Sequence, residues 1–241
     1  VGKALQRLIL HRVLGRLRVH PAVEGFERGH SIVTNARRHK AKAVVVNLDI
    51  RDFFDSTSAK RLDAYFKAIA WNREARQILL RLCTRKGGLP QGAPTSPRLS
   101  NLVNFRLDAR LAGLAAKFAA DYSRYADDIT FSFAKDAAAS IRKFIASAAG
   151  IIADEGYRMH RRRKLHVWGR HNRQVVTGLV VNNGVNLPRD TRRWLRAVEH
   201  HLKTGREATL SGAQLSGWRA LAKMIASQRD GASAKTPQPH R

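Results

Sequence analysis

The chain has 241 residues, 44% of them apolar, which is enough to fill the core of one large domain or of a domain with an appended lobe. Its 45 Lys and Arg against 18 Asp and Glu leave a formal charge of +27, an excess that makes a compact state repel itself and points to a polyanionic partner, nucleic acid before membrane. A single cysteine, Cys83, excludes an internal disulfide and any multi-cysteine zinc site and suits a reducing cytoplasm, and no stretch approaches a membrane span or a signal peptide.

The chain begins at Val1 without a Met and directly in a helical pattern, as a fragment would. Residues 3–19 place Leu5, Leu8, Ile9, Val13 and Leu17 on one stripe, predicting an amphipathic helix with a basic back that His20-Pro21 ends. A loop with Gly25 and Gly29 leads to Asn35, Arg37, Arg38, His39 and Lys40. Their crowding reads either as a solvated basic loop or as a contact surface for phosphates or RNA.

Residues 43–48 are a short apolar run of β-formers, predicting a strand buried on both faces and ending in Asp49. A carboxylate there must reach a cleft, a hydrogen-bond donor or a metal, because burying it alone is costly. Phe53 and Phe54 follow and read as a pocket wall, with one of them plain core. Residues 59–82 predict two helices meeting near Trp71-Asn72. The run from Gly87 to Pro97 fixes a rigid loop displaying Gln91, and Ser96-Pro97 starts a helix through Leu99, Leu102, Val103, Leu107, Leu111 and Leu114. A helix N-terminus holding that loop favours anions such as phosphates.

In SRYADDITFSF, Ile129, Phe131 and Phe133 alternate with Thr130 and Ser132, predicting a strand after the paired acids Asp127 and Asp128. Two adjacent carboxylates repel. Bringing both near one point needs a tight turn at Ala126–Asp127 and a positive partner, for which a hard divalent cation such as Mg²⁺ is the economical candidate; an ordinary Asp-Asp turn is the alternative. Residues 136–153 predict a helix ending at Gly156. The run Arg161, Arg162, Arg163, Lys164 reads as a phosphate contact rather than a plain solvated run before a strand at Leu165 to Trp168, and residues 174–182 predict a strand pair or a bent strand around Gly178. From Pro188 two helical stripes predict a separate small lobe over 187–229 whose Arg192, Arg193, Arg196 and Lys203 form a solvated helix face by default or grip a nucleic-acid backbone, followed by a disordered tail over 230–241. No internal repeat, Walker loop, HExxH or zinc-finger spacing is present.

Two strands ending in carboxylates, with a rigid Gly-Pro loop between them, fit a two-metal phosphoryl-transfer site. In their order and spacing Asp49 with its aromatics, Leu89-Pro90-Gln91-Gly92 and Tyr125-Ala126-Asp127-Asp128 resemble the reverse transcriptases. The likeness narrows to the bacterial retron enzymes: Asn35 to His39 is similar to their NAxxH element, Gly88 to Asn101 to their GLPQGAPTSPxLSN segment, and Val176-Thr177-Gly178 to their VTG element. It covers about residues 4–225.

The resemblance implies an α+β right-hand polymerase fold with an antiparallel palm sheet, partial fingers and a C-terminal helical thumb. It divides the chain into 1–42 (N-terminal helix and fingers or RNA-contact segment), 43–186 (palm with the remaining fingers helices), 187–229 (thumb) and 230–241 (tail). Asp49, Asp127 and Asp128 become catalytic ligands of two Mg²⁺, and Phe54, Gln91 and Arg51 form the nucleotide-binding set, with Phe54 crowding the sugar 2′-position. Asn35, Arg37, Arg38, His39, Val176, Thr177, Gly178, Arg192, Arg193 and Arg196 become the RNA-binding set. The implied partners are dNTPs, a structured non-coding RNA with its cDNA, and an effector protein in anti-phage defence, with priming from an RNA 2′-hydroxyl. Three features depart from the pattern. The family's N-terminal segment, with its triphosphate-holding basic residues, is longer. Arg163 stands where a Lys is usual, so either it or Lys164 is the cation placed to assist pyrophosphate. Asp55 replaces a usual Pro. A group II intron-like enzyme, an RNA-dependent RNA polymerase and a non-catalytic RNA-binding scaffold of the same ancestry are the other readings.

Overall fold

The apolar run does become a strand, β1 (Val44–Asp49), an inner strand of the sheet with apolar cover on both faces. A computed structural model describes residues 2–160 and 165–228. In it β1 pairs antiparallel with β3 (Asp128–Phe133) on one side and β4 (His166–Gly169) on the other, and β2 (Ala120–Tyr125) adds outside β3, giving the order β2-β3-β1-β4. Successive side chains alternate across the sheet. Val44, Val46 and Leu48 therefore join Ile129, Phe131, Leu107, Leu111, Phe144 and Ile152 in one core, while Val45 faces a second core with Val33, Val176 and Val181.

The first core is closed by α7 (Phe105–Lys117) and α8 (Ala138–Asp154); Gly156 at φ +75 follows the end of α8 as a left-handed cap. The predicted helix pair is α4 (Ala59–Ala68) and α5 (Arg73–Cys83), with Asn72 capping the second by accepting from the Ala75 N–H at 2.8 Å. α3 (Phe53–Ser56) is a single turn.

Three predicted elements come out differently. The N-terminal helix is not continuous over 3–19: α1 spans Gly2–Arg12, and the chain tightens to a 3₁₀ turn at Leu14–Arg16 that buries Leu14. The helix after the Gly-Pro loop is also two, α6 (Ser96–Val103) and α7, broken at Asn104, whose amide turns back onto the Ser100 carbonyl at 2.8 Å. Ser96 is not the cap; Thr95 holds that position, and the Ser96 hydroxyl donates to Pro90 O at 2.7 Å instead.

The C-terminal helices α9 (Arg189–Lys203) and α10 (Gly212–Gln228) pack through Leu187, Leu195, Leu221 and Ile225 onto the hairpin β5 (Val175–Val176) and β6 (Leu179–Val180) and onto α2 (Ile32–Arg38). They share the second core with α2 and that hairpin. Among the described residues no helix is long and apolar enough to cross a membrane. The expectations for Arg161 to Lys164 and for the 230–241 tail lie outside the described residues.

The predicted basic loop at 35–40 is a capped helix with a buried side. Ser31 and Thr34 form a reciprocal capping box, and Asn35 and His39 are 1% and 0% exposed. His39 bridges the Ser132 and Ser123 hydroxyls, each at 2.8 Å; Ser123 in turn donates to Asn35 Oδ1 at 2.5 Å. Burial pushes the His39 pKa down to about 3, so the ring is neutral in the fold. The unfolded chain takes up this proton near pH 6.5, the folded chain only near pH 3. The contribution is therefore complete above about pH 6.5 and is lost as pH falls toward 3, by roughly 1.4 kcal/mol per unit. Denaturant unfolding of His39→Gln at several pH values should give a shallower acid slope than the native chain, by about 1 kcal/mol per unit; parallel slopes would contradict the assignment.

Candidate active site

The acids meet at the end of the sheet. Asp49 is directly opposite Asp128 in the β1–β3 ladder, and Tyr125 pairs with Asp128 across the β2–β3 hairpin, leaving Ala126-Asp127 as a two-residue turn. Ala126 sits at φ +57, the left-handed conformation such turns require. The Ile50 N–H donates to Asp127 O at 3.1 Å, fastening the strand that carries Asp49 to the turn. Asp49 is 4% exposed, Asp127 half-buried and Asp128 exposed.

Asp49 and Asp127 line a cavity of about 690 Å³ whose other walls include Phe54, Gln91, Phe26, Lys3, Arg7 and His160. Phe53 turns into the core at 4% exposure and backs Phe54, with ring centroids 5.4 Å apart. The Gly-Pro loop is fixed against that wall: the Leu89 N–H donates to Phe54 O at 3.1 Å, and a Cβ on Gly88 would come within 2.3 Å of Asp55 O. Gln91 is thereby displayed beside Phe54. His160 stands with Nε2 3.7 Å from Asp49 Oδ1, its backbone N–H donating to Asp49 O at 3.0 Å.

A buried ion pair holds the acid turn from behind. Arg124 and Asp108 are each 0% exposed; Nε and Nη2 donate to Oδ1 and Oδ2 at 2.7 and 2.8 Å, and the Tyr122 hydroxyl adds a third donor to Oδ1 at 2.7 Å. The remaining nitrogen, Nη1, donates to Ala126 O at 3.0 Å and to Asn101 Oδ1 at 3.3 Å. Asp108 holds the guanidinium charged despite its burial, and the guanidinium holds the turn.

Not every expected site residue comes together here. Arg51 is not part of this cavity; its Nε pairs with Asp52 at 3.1 Å and it lines a shallower depression with Ser56 and Arg158. Asn35, His39 and Val176 are buried and join an internal brace: Thr177 donates to Ile32 O at 3.1 Å and Asn35 reaches Thr177 at 3.5 Å. Arg38 is paired with Glu24 at 2.5 Å, and Arg37 reaches Gln228 O at 3.0 Å. Gly178 and the helix residues Arg192, Arg193 and Arg196 are exposed.

Asp49 and Asp127 offer carboxylate oxygens of the kind that suits a hard cation to a cavity where a substrate could share the ion, while Asp128 is exposed and does not line it. Among the described residues no group of three His, Cys, Asp or Glu side chains is placed to hold a metal ion by itself.

Residues 1–167 match the family model for reverse transcriptase (RNA-dependent DNA polymerase). The chain belongs to the reverse transcriptase family. Its curated relatives include the retron Mx65 and Mx162 reverse transcriptases of Myxococcus xanthus, each 36% identical over 92% of this chain, and the retron Ec86 reverse transcriptase of Escherichia coli, 34% identical over 90%. The chain spans 56%, 52% and 66% of their respective lengths. A telomerase structure from Candida albicans matches with a TM-score of 0.53 at 11% identity over 78% of this chain and 38% of that one. A second, from Candida tropicalis, reaches 0.54 at 12% over 77% and 45%. The reverse transcriptase chain thus has the right-hand polymerase fold, and the acids stand on its antiparallel sheet.

Sequence reasoning missed several residues of this reverse transcriptase site. Lys3 and Arg7 face the cavity, although periodicity put Arg7 on a solvated back. Arg124 and Asp108 passed unnoticed. A signal existed: Asn101, Asn104 and Asp108 recur at helical spacing beside the Leu stripe, as a buried polar seam would. Asp108→Ala strands a buried guanidinium and should lower unfolding free energy by about 3–5 kcal/mol in urea titrations; a loss under about 1 kcal/mol would mean that the pair is not carrying the turn.

Proposed function

We propose that this chain is an RNA-directed DNA polymerase of the retron type, copying a structured non-coding RNA into cDNA. The observation that carries the reading is the meeting of Asp49 with the Asp127 turn at the mouth of a cavity walled by Phe54, Gln91 and the cations Lys3 and Arg7. Asp49, Asp127 and Asp128 would hold two Mg²⁺, which supply activation of a 3′-hydroxyl and neutralisation of the departing pyrophosphate.

The protein's own part is positioning. Lys3 and Arg7 attract the triphosphate, and the N-terminus of α6, which adjoins the same cavity through Ser96 and Pro97, adds its positive end. Phe54, held by Phe53 behind and the Leu89 N–H above, leaves no space for a 2′-hydroxyl, so deoxynucleotides are preferred. Gln91 borders the base and sugar of the incoming nucleotide. Residues 1–42 serve as the fingers and RNA-contact segment, 43–186 as the palm and 187–229 as the thumb, whose exposed Arg192, Arg193 and Arg196 grip phosphates without regard to sequence. Likeness to the retron enzymes supports priming from an RNA 2′-hydroxyl to give branched RNA–DNA, with an effector protein and a role in anti-phage defence. The lone buried cysteine suits a cytoplasmic setting.

Primer extension on RNA with Mg²⁺ and dNTPs tests the reading. Asp127→Asn should lower the rate by about a hundredfold or more with its melting temperature kept, since a lost metal ligand removes several kcal/mol of transition-state stabilisation. A folded native chain that makes no acid-dependent cDNA would leave the scaffold reading in its place. Phe54→Ala should reduce discrimination against ribonucleotides by about tenfold or more, measured as the ratio of kcat/KM for dNTP and rNTP; an unchanged ratio would remove Phe54 from sugar selection.

A further inference from the structure

Phe26 is the least economical residue near the site. It is 50% exposed, belongs to no buried apolar core, and its backbone is at φ +62, a left-handed conformation that a bulky aromatic adopts only under constraint. A surface loop with no task there would carry Gly or Asn.

The constraint is built on both sides of it. Asn101 Nδ2 donates to Gly25 O and to Glu27 Oε1, each at 2.8 Å, and Arg98 pairs with Glu27, so the residues flanking Phe26 are both held by α6. Gly25 presses on the acid turn so closely that a Cβ there would lie 2.8 Å from Ala126 N. The Glu24 N–H donates to Arg124 O at 2.9 Å, continuing the same seam. Phe26 is therefore fixed relative to the turn carrying Asp127, and its ring lines the cavity between Phe54 and Tyr125, at centroid distances of 6.3 and 6.0 Å.

We propose that Phe26 is a specificity residue of this site: an apolar plate against which the forming base pair, incoming deoxynucleotide with template base, is held for correct shape. The inference rests on the polymerase reading above. Phe54 is assigned the sugar, and the acids and cations the triphosphate. The flat surface remaining between Phe54 and Tyr125 matches the only flat apolar part of the substrate, its base. A ring held rigidly by its backbone tolerates a correctly shaped pair and is displaced by a wobble or purine–purine pair, so it contributes both affinity and discrimination.

The test is single-nucleotide incorporation by the full chain on a primed RNA, with correct and mismatched dNTPs, alongside binding of the next dNTP to a dideoxy-terminated primer complex. Phe26→Ala should raise KM and the dNTP dissociation constant by about tenfold, change kcat by less than about threefold, and lower the ratio of correct to mismatched kcat/KM. Phe26→Tyr should restore the native values. Phe26→Gly, which suits the left-handed backbone, should behave as Phe26→Ala with a melting temperature equal to or above the native one. An active native chain whose Phe26→Ala and Phe26→Gly variants keep native KM and mismatch ratios overturns this proposal alone. So does a loss confined to kcat and melting temperature. A native chain with no Asp127-dependent extension overturns the polymerase reading and this inference together.

Discussion

The buried pair between Arg124 and Asp108 is the constraint on which the rest of the site depends. An Arg and an Asp, both fully inaccessible, would each cost several kcal/mol if alone; together, with Tyr122 and Asn101 completing their hydrogen bonds, they cost little and gain a direction. That direction is toward Ala126, whose carbonyl takes the last guanidinium N–H. A turn that sets two adjacent acids side by side has an electrostatic reason to open. Here its backbone is tied to a helix through a charge that cannot be moved without stranding it.

From that tie the other parts fall into place in sequence. The hairpin fixes Asp127 and Asp128, the ladder sets Asp128 opposite Asp49, and the Ile50 N–H locks the strand end to the turn. α6 and α7, which supply Asn101 and Asp108, also begin at the Gly-Pro loop that carries Gln91 and leans on Phe54. One polar seam thus holds the acid turn, the loop flanking Phe26 and the cavity wall formed by Phe54 and Gln91. The brace formed by Asn35, His39, Ser123, Ser132 and Thr177 does the same for the opposite face of the sheet, joining α2 and the β5–β6 hairpin to the strands that carry the acids. Two sequence elements that look like surface motifs thus also make internal contacts between the four-stranded sheet and the C-terminal helices.

Much of this was legible from local pattern. Val44 to Leu48 could only be a doubly covered strand, Ile129 to Phe133 alternated as a half-buried one must, and Gly156 and Gly178 marked the helix end and the hairpin turn that were found. What failed to show was of two kinds. Local pattern does not show when a charged or imidazole side chain is buried, which hides Arg124, Asp108 and His39, whose burial depends on partners far along the chain. Local breaks within periodic stretches were also overrun: Gly15 and Asn104 each stood inside an apolar stripe, and each falls where the helix tightens or breaks. Periodicity says which face is apolar, not where the backbone changes its hydrogen bonding. The convergence of Lys3, Arg7 and Phe26 on one cavity follows from tertiary packing alone.

The central claim is that Asp49, Asp127 and Asp128 gather divalent ions where a nucleotide meets a primer end. Anomalous scattering from crystals of the chain grown with Mn²⁺, a dideoxy-terminated primer on RNA and the next dNTP addresses it directly. The account expects manganese between Asp49 and the Asp127–Asp128 turn, bridging to the triphosphate, with the Phe54 ring against the sugar. Manganese bound only elsewhere, with the nucleotide outside this cavity, would contradict it.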